Sequence, residues 1–138
     1  MRYRLLILFL SVLLYACKTN RIVANERQGL WIEKNKINDI NYKSKGKYDV
    51  GFQQKTWRYF ENGKLVKKEK YKDSVCTVTH FKDGKKIREG QTKLRVTETD
   101  MHWFYFGDWK TFDASGETTE IDHYENGELL STIEIPVK

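Results

Sequence analysis

The sequence predicts an all-β fold, a meander of β-hairpins that follows an N-terminal signal segment. Three observations support this prediction. After Cys17 the chain holds two alanines and five leucines, against 16 aromatic residues and 26 valines, isoleucines or threonines, which favour strands. No window shows an apolar stripe with the period of a helix. Turn signals recur at a spacing that holds one strand and one turn.

The leader differs in composition from the rest of the chain. Arg2 and Arg4 precede an apolar run from Leu5 to Ala16, which has the length of a signal-peptide core. A spanning helix needs roughly 18 or more apolar residues, so this run is too short to be one. It ends in Leu14-Tyr-Ala-Cys17, which resembles the lipobox of bacterial lipoproteins.

That resemblance implies that the signal peptide is cleaved between Ala16 and Cys17 and that Cys17 carries the lipid anchor. The alternative is an ordinary secretory signal followed by an unrelated cysteine. Because two or more acyl chains hold a protein stably on a bilayer, the membrane is the first expected partner. Lys18 follows Cys17, where an aspartate commonly signals retention in the inner membrane. We therefore expect an anchor in the outer membrane, with the protein on the periplasmic face.

The charge of the mature chain is only mildly positive. Without Arg2 and Arg4 it has 23 basic and 19 acidic residues, a net charge of +4, with both signs interspersed. Nucleic acid is not an expected partner of an exported, anchored protein. Residues 20–47 are the most basic stretch, and we interpret them as a solvated tether. The predicted organisation is a signal peptide at 1–16, a lipidated tether with a first degenerate strand at 17–46, and a hairpin-repeat domain at 47–138.

With Cys17 lipidated, Cys76 is the other cysteine of the chain, so an intramolecular disulfide is not expected. Cys76 lies in the β-branched run Val75-Cys-Thr-Val-Thr79, which favours a small apolar strand residue. A catalytic thiol would need a neighbouring base and a lowered pKa.

Turn signals between strand-like runs set the rhythm of the meander. Asn-Gly and Asp-Gly pairs supply the positive φ angles of tight hairpin turns. One further reversal is expected near residues 97–100, and Lys72-Asp73-Ser74 is a weaker turn. The strongest signals are Asn62-Gly63, Asp83-Gly84, Ser115-Gly116 and Asn126-Gly127.

The hairpins also repeat internally. Trp57 is followed by an aromatic residue at +3, a glycine turn and then a tyrosine, and Trp109 is followed by the same series with one extra turn residue. Gly29-Leu-Trp31 opens a degenerate earlier copy. The repeat predicts that Trp57 and Trp109 are equivalent core residues rather than ligand contacts.

The phrase from Lys55 to Leu65, Lys-Thr-Trp-Arg-Tyr-Phe-Glu-Asn-Gly-Lys-Leu, resembles the variant membrane-occupation-and-recognition-nexus (MORN-like) repeat. Its pattern is Gly-x-Trp-x-x-aromatic-x-x-Gly-x-Leu, and Tyr124 to Leu129 matches as well. The likeness covers roughly residues 47–135, and Lys55 departs from it where the repeat usually has glycine. The resemblance implies stacked hairpins in an elongated twisted sheet, as in exported bacterial proteins and an antitoxin-like group.

Motifs for catalysis, cofactors and metals are missing from the sequence. It contains no His-Glu-x-x-His, no Gly-x-Ser-x-Gly, no phosphate-binding glycine loop and no metal-spaced cysteines. His80 and His123 each precede an aromatic residue, and Tyr59 fills that position in another copy, so we interpret these residues as scaffold. We expect a protein that is not an enzyme and has no cofactor or metal.

Residues 101–106 are the best candidate for a binding surface because they interrupt the repeat and are rich in aromatic side chains. Strand alternation puts Trp103 and Tyr105 on one face and Phe104 and Phe106 on the other. The segment is either a central core strand or partly exposed for a partner. If it is exposed, His102, Trp103 and Tyr105 form the possible binding surface.

Two function classes remain. The first is a non-enzymatic envelope lipoprotein that acts as a binding or structural module through its β-sheet, with an unknown envelope protein or glycan as partner. The second is an immunity or antitoxin-like protein that neutralises a toxin in the periplasm. The first predicts an exposed aromatic groove, and the second predicts a charged contact surface.

Overall fold

Tight turns at Asn-Gly and Asp-Gly pairs fold the chain back on itself. Asn62 and Gly63 have φ angles of 47° and 82°, and the Asp83-Gly84 and Asn126-Gly127 pairs are alike. Positive φ at both central residues defines the hairpin turn whose twist matches that of the flanking strands. The expected reversal at 97–100 is also present, closed by a hydrogen bond from Thr97 N to Asp100 O of 2.8 Å.

The computed structural model describes residues 19–136, which form one open antiparallel sheet of ten strands in chain order. The predicted all-β meander is thereby confirmed, whereas Ala16 and Cys17 lie outside the described residues. The first five strands are β1 (Arg21–Val23), β2 (Glu26–Ile37), β3 (Ile40–Asp49), β4 (Phe52–Glu61) and β5 (Lys64–Lys72). The second five are β6 (Val75–Lys82), β7 (Lys85–Val96), β8 (Met101–Phe112), β9 (Thr118–Glu125) and β10 (Glu128–Glu134).

The segment 17–46 is more regular than a tether with one degenerate strand. Its described part holds β1, β2 and most of β3, and the boundary after residue 46 falls inside β3. Asn38 and Asp39, both at positive φ, make the turn between β2 and β3. The basic stretch is therefore built into the sheet, and the lysines of β2 and β3 all lie on one face of it.

The two faces of the sheet differ in chemistry. One face carries Trp31, Trp57, Trp103 and Trp109, and we call it the tryptophan face. The opposite face carries most of the lysines of β2 to β5 together with phenylalanine rings, and we call it the lysine face. Residues paired across neighbouring strands share a face, so the register assigns every strand residue to one of the two.

Trp57 and Trp109 are the best-buried large side chains of the sheet, each about 1% exposed. Each indole lies flat over a glycine of the preceding strand, Gly46 or Gly90, where an added Cβ would stand 2.2 Å from the ring. Each Nε1–H donates to a backbone carbonyl of that strand at 3.0 Å. The predicted equivalence of the two tryptophans as core residues is confirmed.

A residue with positive φ precedes each buried tryptophan by two positions. Gly29 and Gly107 hold φ angles of 75° and 67°, and Lys55 takes φ 59° at the same place. Register shifts in the β3–β4 and β7–β8 pairs show that Lys55 and Gly107 belong to equivalent bulges. The glycine of the Gly-x-Trp pattern thus allows the positive φ angle that the bulge requires. Lys55 adopts the same positive φ at a cost in conformational free energy.

The core lies on the tryptophan face over the middle of the sheet. Cys76 and Val78 of β6 are buried beside Trp109, and Tyr71 and Trp103 pack against them. β5 and β8 are separated by two strands, about 14 Å in a flat sheet, yet the rings of Tyr71 and Trp103 are 5.5 Å apart between centroids. The sheet therefore curls toward the tryptophan face, which closes over Cys76.

Candidate functional site

The structure separates the three residues predicted to form a binding surface. Trp103 and Tyr105 lie on the tryptophan face, with Phe104 and Phe106 on the other, as strand alternation predicts. His102 pairs with Arg95 on the lysine face. His102 and Trp103 therefore project to opposite sides of the sheet and do not form one surface.

Trp103 and Tyr105 each combine core packing with partial exposure. Trp103 meets Tyr71 edge to face and packs against the core cluster. Tyr105 stacks on Trp109, with ring centroids 4.3 Å apart and 23° between planes, and meets Tyr124 edge to face at 5.1 Å. Its side chain remains 41% exposed. Both residues are part of the scaffold, and Tyr105 also presents one side to solvent.

Trp103 lines a cleft where two turns of the sheet meet. The β3–β4 turn and the β7–β8 turn approach one another because the sheet curls between them. The cleft has a volume of about 330 Å³ and we call it the aromatic cleft. Its lining residues are Tyr48, Gly51, Phe52, Gln53, Tyr71, Leu94, Met101 and Trp103.

Exposed apolar side chains surround the aromatic cleft. Phe52 and Met101 line it and are 51% and 50% exposed, and Val50 and Val96 beside them are more exposed still. Isolated apolar residues are common on protein surfaces, but a contiguous group marks a binding surface. These four belong to two turns far apart in the chain, so the group is created by the curl of the sheet.

A partly buried polar network supports one wall of the aromatic cleft. The hydroxyl of Tyr59 donates to Glu69 Oε2 at 2.5 Å, and the hydroxyl of Tyr71 lies 2.8 Å from the same oxygen and 2.5 Å from Gln53 Oε1. Lys67 Nζ is 2.8 Å from Glu69 Oε1. Every member has a partner, so the network fixes the position of Tyr71 beside the cleft.

The network holds Glu69 ionised and both tyrosines neutral. Burial raises the pKa of Glu69, but the hydrogen bonds from Lys67 and Tyr59 outweigh it, so the pKa lies below its usual value. Burial, reinforced by the carboxylate of Glu69, raises the pKa of Tyr59 and Tyr71 far above the usual range. The arrangement is that of a structural hydrogen-bond cluster rather than of an acid–base pair poised near neutral pH.

Asp122 occupies the place in the second copy that Glu69 occupies in the first. Glu69 pairs with Trp57 across β4 and β5, and Asp122 pairs with Trp109 across β8 and β9. Asp122 accepts hydrogen bonds from Arg88 at 2.8 Å and from Thr132 at 2.7 Å. In both copies of the repeat, therefore, an acidic side chain that accepts hydrogen bonds lies across from the buried tryptophan on the next strand.

The two histidines assigned to one repeat position lie on different faces. His80 is on the tryptophan face, opposite Lys67 and Arg88, and its ring centroid is 6.4 Å from that of Trp109. His123 is on the lysine face, where its Nδ1 is 2.7 Å from Asp108 Oδ1. Tyr59 shares the face of His80, so the equivalence predicted from the sequence holds for Tyr59 and His80 and not for His123.

The lysine face concentrates positive charge on β2 to β5. Lys45, Arg58 and Lys68 stand directly opposite one another across three neighbouring strands, and Lys34 stands opposite Lys43. Like charges placed opposite each other destabilise a sheet. None of the five forms an ion pair with another residue of 19–136. Lys34, Lys43 and Lys45 line a shallow cleft of about 570 Å³ around Phe60.

Burial raises the pKa of the Cys76 thiol to about 11. The thiol is therefore protonated at neutral pH and shielded from solvent, in agreement with its interpretation as an apolar strand residue. The part of the chain that the structure describes holds no group of three or more histidine, cysteine or acidic residues arranged to bind a metal ion. It also contains no helix of the length and hydropathy needed to cross a membrane.

Only part of the aromatic cleft was predictable from the sequence. Met101 and Trp103 belong to the candidate segment 101–106, and Tyr71 is a repeat position, but Phe52 and Gln53 were not predicted to lie beside them. The sequence signal that could have indicated this part of the cleft is an apolar residue beside a turn glycine, as in Gly51-Phe52. Comparison of the chain with protein-family models, curated proteins and solved structures finds no match.

Proposed function

We propose that this protein is a non-enzymatic lipoprotein of the bacterial cell envelope that binds a partner protein through the aromatic cleft. In this proposal the lipid on Cys17 anchors it to the outer membrane, on the periplasmic face, and the sheet presents the cleft. The observation that most directly supports this proposal is the group of exposed apolar side chains around that cleft, Val50, Phe52, Val96 and Met101.

The chemistry of the rim favours a protein over a glycan as the partner. A sugar needs hydrogen-bonding groups beside the aromatic ring on which it stacks, yet the rim is made of valine, phenylalanine and methionine. The carboxamide of Gln53 is already engaged with Tyr71 and Tyr59. Apolar or aromatic side chains of a protein would fill such a cleft and remove the rim from water.

Phe52 and Met101 are the residues to change, because both are half exposed and neither belongs to the buried core. We expect Phe52→Ser with Met101→Ser to leave the melting temperature close to that of the wild type. Each lost apolar contact weakens partner binding by roughly tenfold. The assay is photo-cross-linking in the native envelope from a benzophenone at Val96, followed by identification of the captured protein.

Ile37→Ser is the matched control, since Ile37 is 51% exposed and lies on β2, away from the cleft. The proposal requires one envelope protein to be captured by the wild type and by the control and to be lost in the double variant. Equal capture by all three chains would contradict it.

A second candidate function rests on the lysine face. An immunity or antitoxin-like protein would neutralise a periplasmic toxin through a charged surface, and unpaired basic side chains at Lys34, Lys43 and Lys45 supply one. In this alternative, Lys43→Glu with Lys45→Glu abolishes protection against the toxin, and the aromatic-cleft variants retain it. A survival assay with a toxin encoded beside this gene separates the two candidates.

A further inference from the structure

The last strand of the sheet, β10, has an outer edge with the features of one that pairs with another strand. β10 has no partner on its outer side among residues 19–136, and all seven of its residues are exposed. Natural edge strands are usually protected by charged side chains, above all lysine, by proline or by a short length. β10 instead presents Leu129, Leu130 and Ile133, more than half exposed, and has charged side chains only at its two ends, Glu128 and Glu134.

The opposite edge of the sheet is also apolar, and no strand of the described residues covers it. β1 spans three residues, of which Ile22 and Val23 are exposed, and Leu30 and Ile37 are exposed on β2 beside it. Together the two edges hold seven of the twelve exposed large apolar side chains found within residues 19–136. Four others surround the aromatic cleft, so in this part of the chain the exposed apolar surface lies almost wholly at the cleft and the two edges.

The two ends of the sheet carry opposite charge. Residues 19–72, which form β1 to β5, have 14 basic and 6 acidic side chains, a net charge of +8. Residues 73–136, which form β6 to β10, have 7 basic and 13 acidic side chains, a net charge of −6. The overall balance of the chain therefore conceals a strongly polarised sheet.

We infer that copies of this chain associate head to tail, with β10 of one copy against the β1–β2 edge of the next. Ten strands alternate in direction, so β10 of one copy and β1 of a second copy in the same orientation run antiparallel. The acidic end meets the basic end, and the exposed apolar residues of both edges leave water. Such a contact is heterologous, since it joins two different edges, and it leaves one free edge at each end of the assembly. Further copies can therefore add to form a linear filament, whereas a closed dimer is not expected.

Cysteine cross-linking of the full-length protein, expressed with its own leader and extracted in mild detergent, tests this inference. Ile22→Cys and Ile133→Cys are prepared separately and treated with a short bis-maleimide, alone and mixed. We expect cross-linked dimers only in the mixture, and a ladder of higher species from the variant that carries both cysteines. The wild type measures any background from Cys17, while Cys76 is buried.

Charge reversal supplies the second arm of the test. Glu128→Lys with Glu134→Lys should lower cross-linking, as should raising the salt from about 0.05 to about 0.5 M. A partner carrying Arg21→Glu should restore it, because Arg21 comes opposite Glu134 when Ile22 faces Ile133. Leu130→Lys should lower the yield about tenfold, since it both charges the edge and removes an apolar contact.

Lys82→Cys, at the exposed β6–β7 turn, is the matched control and should not cross-link with Ile22→Cys. Cross-linking of Ile22→Cys with itself would overturn the inference, because it indicates contact between two basic edges. Equal yields with Lys82→Cys and Ile133→Cys, or no cross-link in the mixture of correctly folded chains, would overturn it as well.

Discussion

Gly90→Ala tests whether the glycine beneath Trp109 is there to admit the indole. The new Cβ would stand 2.2 Å from Trp109 Cδ2, whereas carbon atoms in contact lie about 3.5–4.0 Å apart. The ring must therefore move by roughly 1.5 Å. That movement breaks the hydrogen bond from Trp109 Nε1 to Gln91 O, worth about 1 kcal/mol, and overpacking adds about 1–3 kcal/mol.

The expected destabilisation is about 2–4 kcal/mol, which lowers the melting temperature of a domain of this size by roughly 8–15 °C. Thermal and urea unfolding followed by tryptophan fluorescence measure it. Gly107→Ala is the control, because its Cβ meets nothing within 4 Å and only the positive φ is strained, a cost of about 1 kcal/mol. A Gly90→Ala protein that melts within about 3 °C of the wild type would refute the reasoning.

Four further predictions follow from single sites. Lys55→Gly should stabilise the protein by roughly 0.5–1 kcal/mol because glycine adopts φ 59° without strain, and Gly107→Lys should destabilise it; melting curves in which both have the same sign would contradict the bulge equivalence. Cys76 should react with a maleimide only after unfolding, since its thiol is buried with its pKa raised to about 11; fast labelling of the native protein would contradict this. Burial, with Lys67 and Arg88 nearby, lowers the pKa of His80 below its usual value of 6.5. The unfolded chain then binds the proton more readily, so stability should fall as the pH drops below about 6.5; His80→Gln should reduce that slope, and an unchanged slope would count against it. Cys17→Ser should abolish acylation in metabolic labelling with palmitate, and retained label would rule out the lipid anchor.

The strands and turns were predictable where local chemistry determines them. Asn62-Gly63 and Asp83-Gly84 encode their hairpins in two adjacent residues, and the tryptophan repeat identified the buried rings. The turn at Asn38-Asp39 was missed because it lacks glycine and lies within a basic stretch that was interpreted as tether. Charged residues at every second position of a strand indicate that one face of the strand is solvated, and they do not indicate a disordered segment.

The aromatic cleft was not predictable from local pattern. Its walls come from β3, β4, β5, β7 and β8, and they meet because Tyr71 and Trp103 close over Cys76 and curl the sheet. Curvature results from the combined packing of side chains three strands apart, and no short window of sequence contains it. His102 and Trp103 are separated for a different and local reason, because successive residues of a strand point to opposite faces of the sheet.

The contact between Tyr71 and Trp103 also has a mechanical consequence. In a meander each strand is held by its two neighbours, so a chain fixed at its N-terminal end and pulled at β10 gives way one strand at a time, with few hydrogen bonds resisting at any moment. Contacts that skip a strand add resistance: the ion pair of Arg88 and Asp122 ties β7 to β9, and the rings of Tyr71 and Trp103 tie β5 to β8. The sheet is thus expected to yield easily at β10 and to resist from β9 inward, which keeps the aromatic cleft intact under a load that strips the end of the sheet.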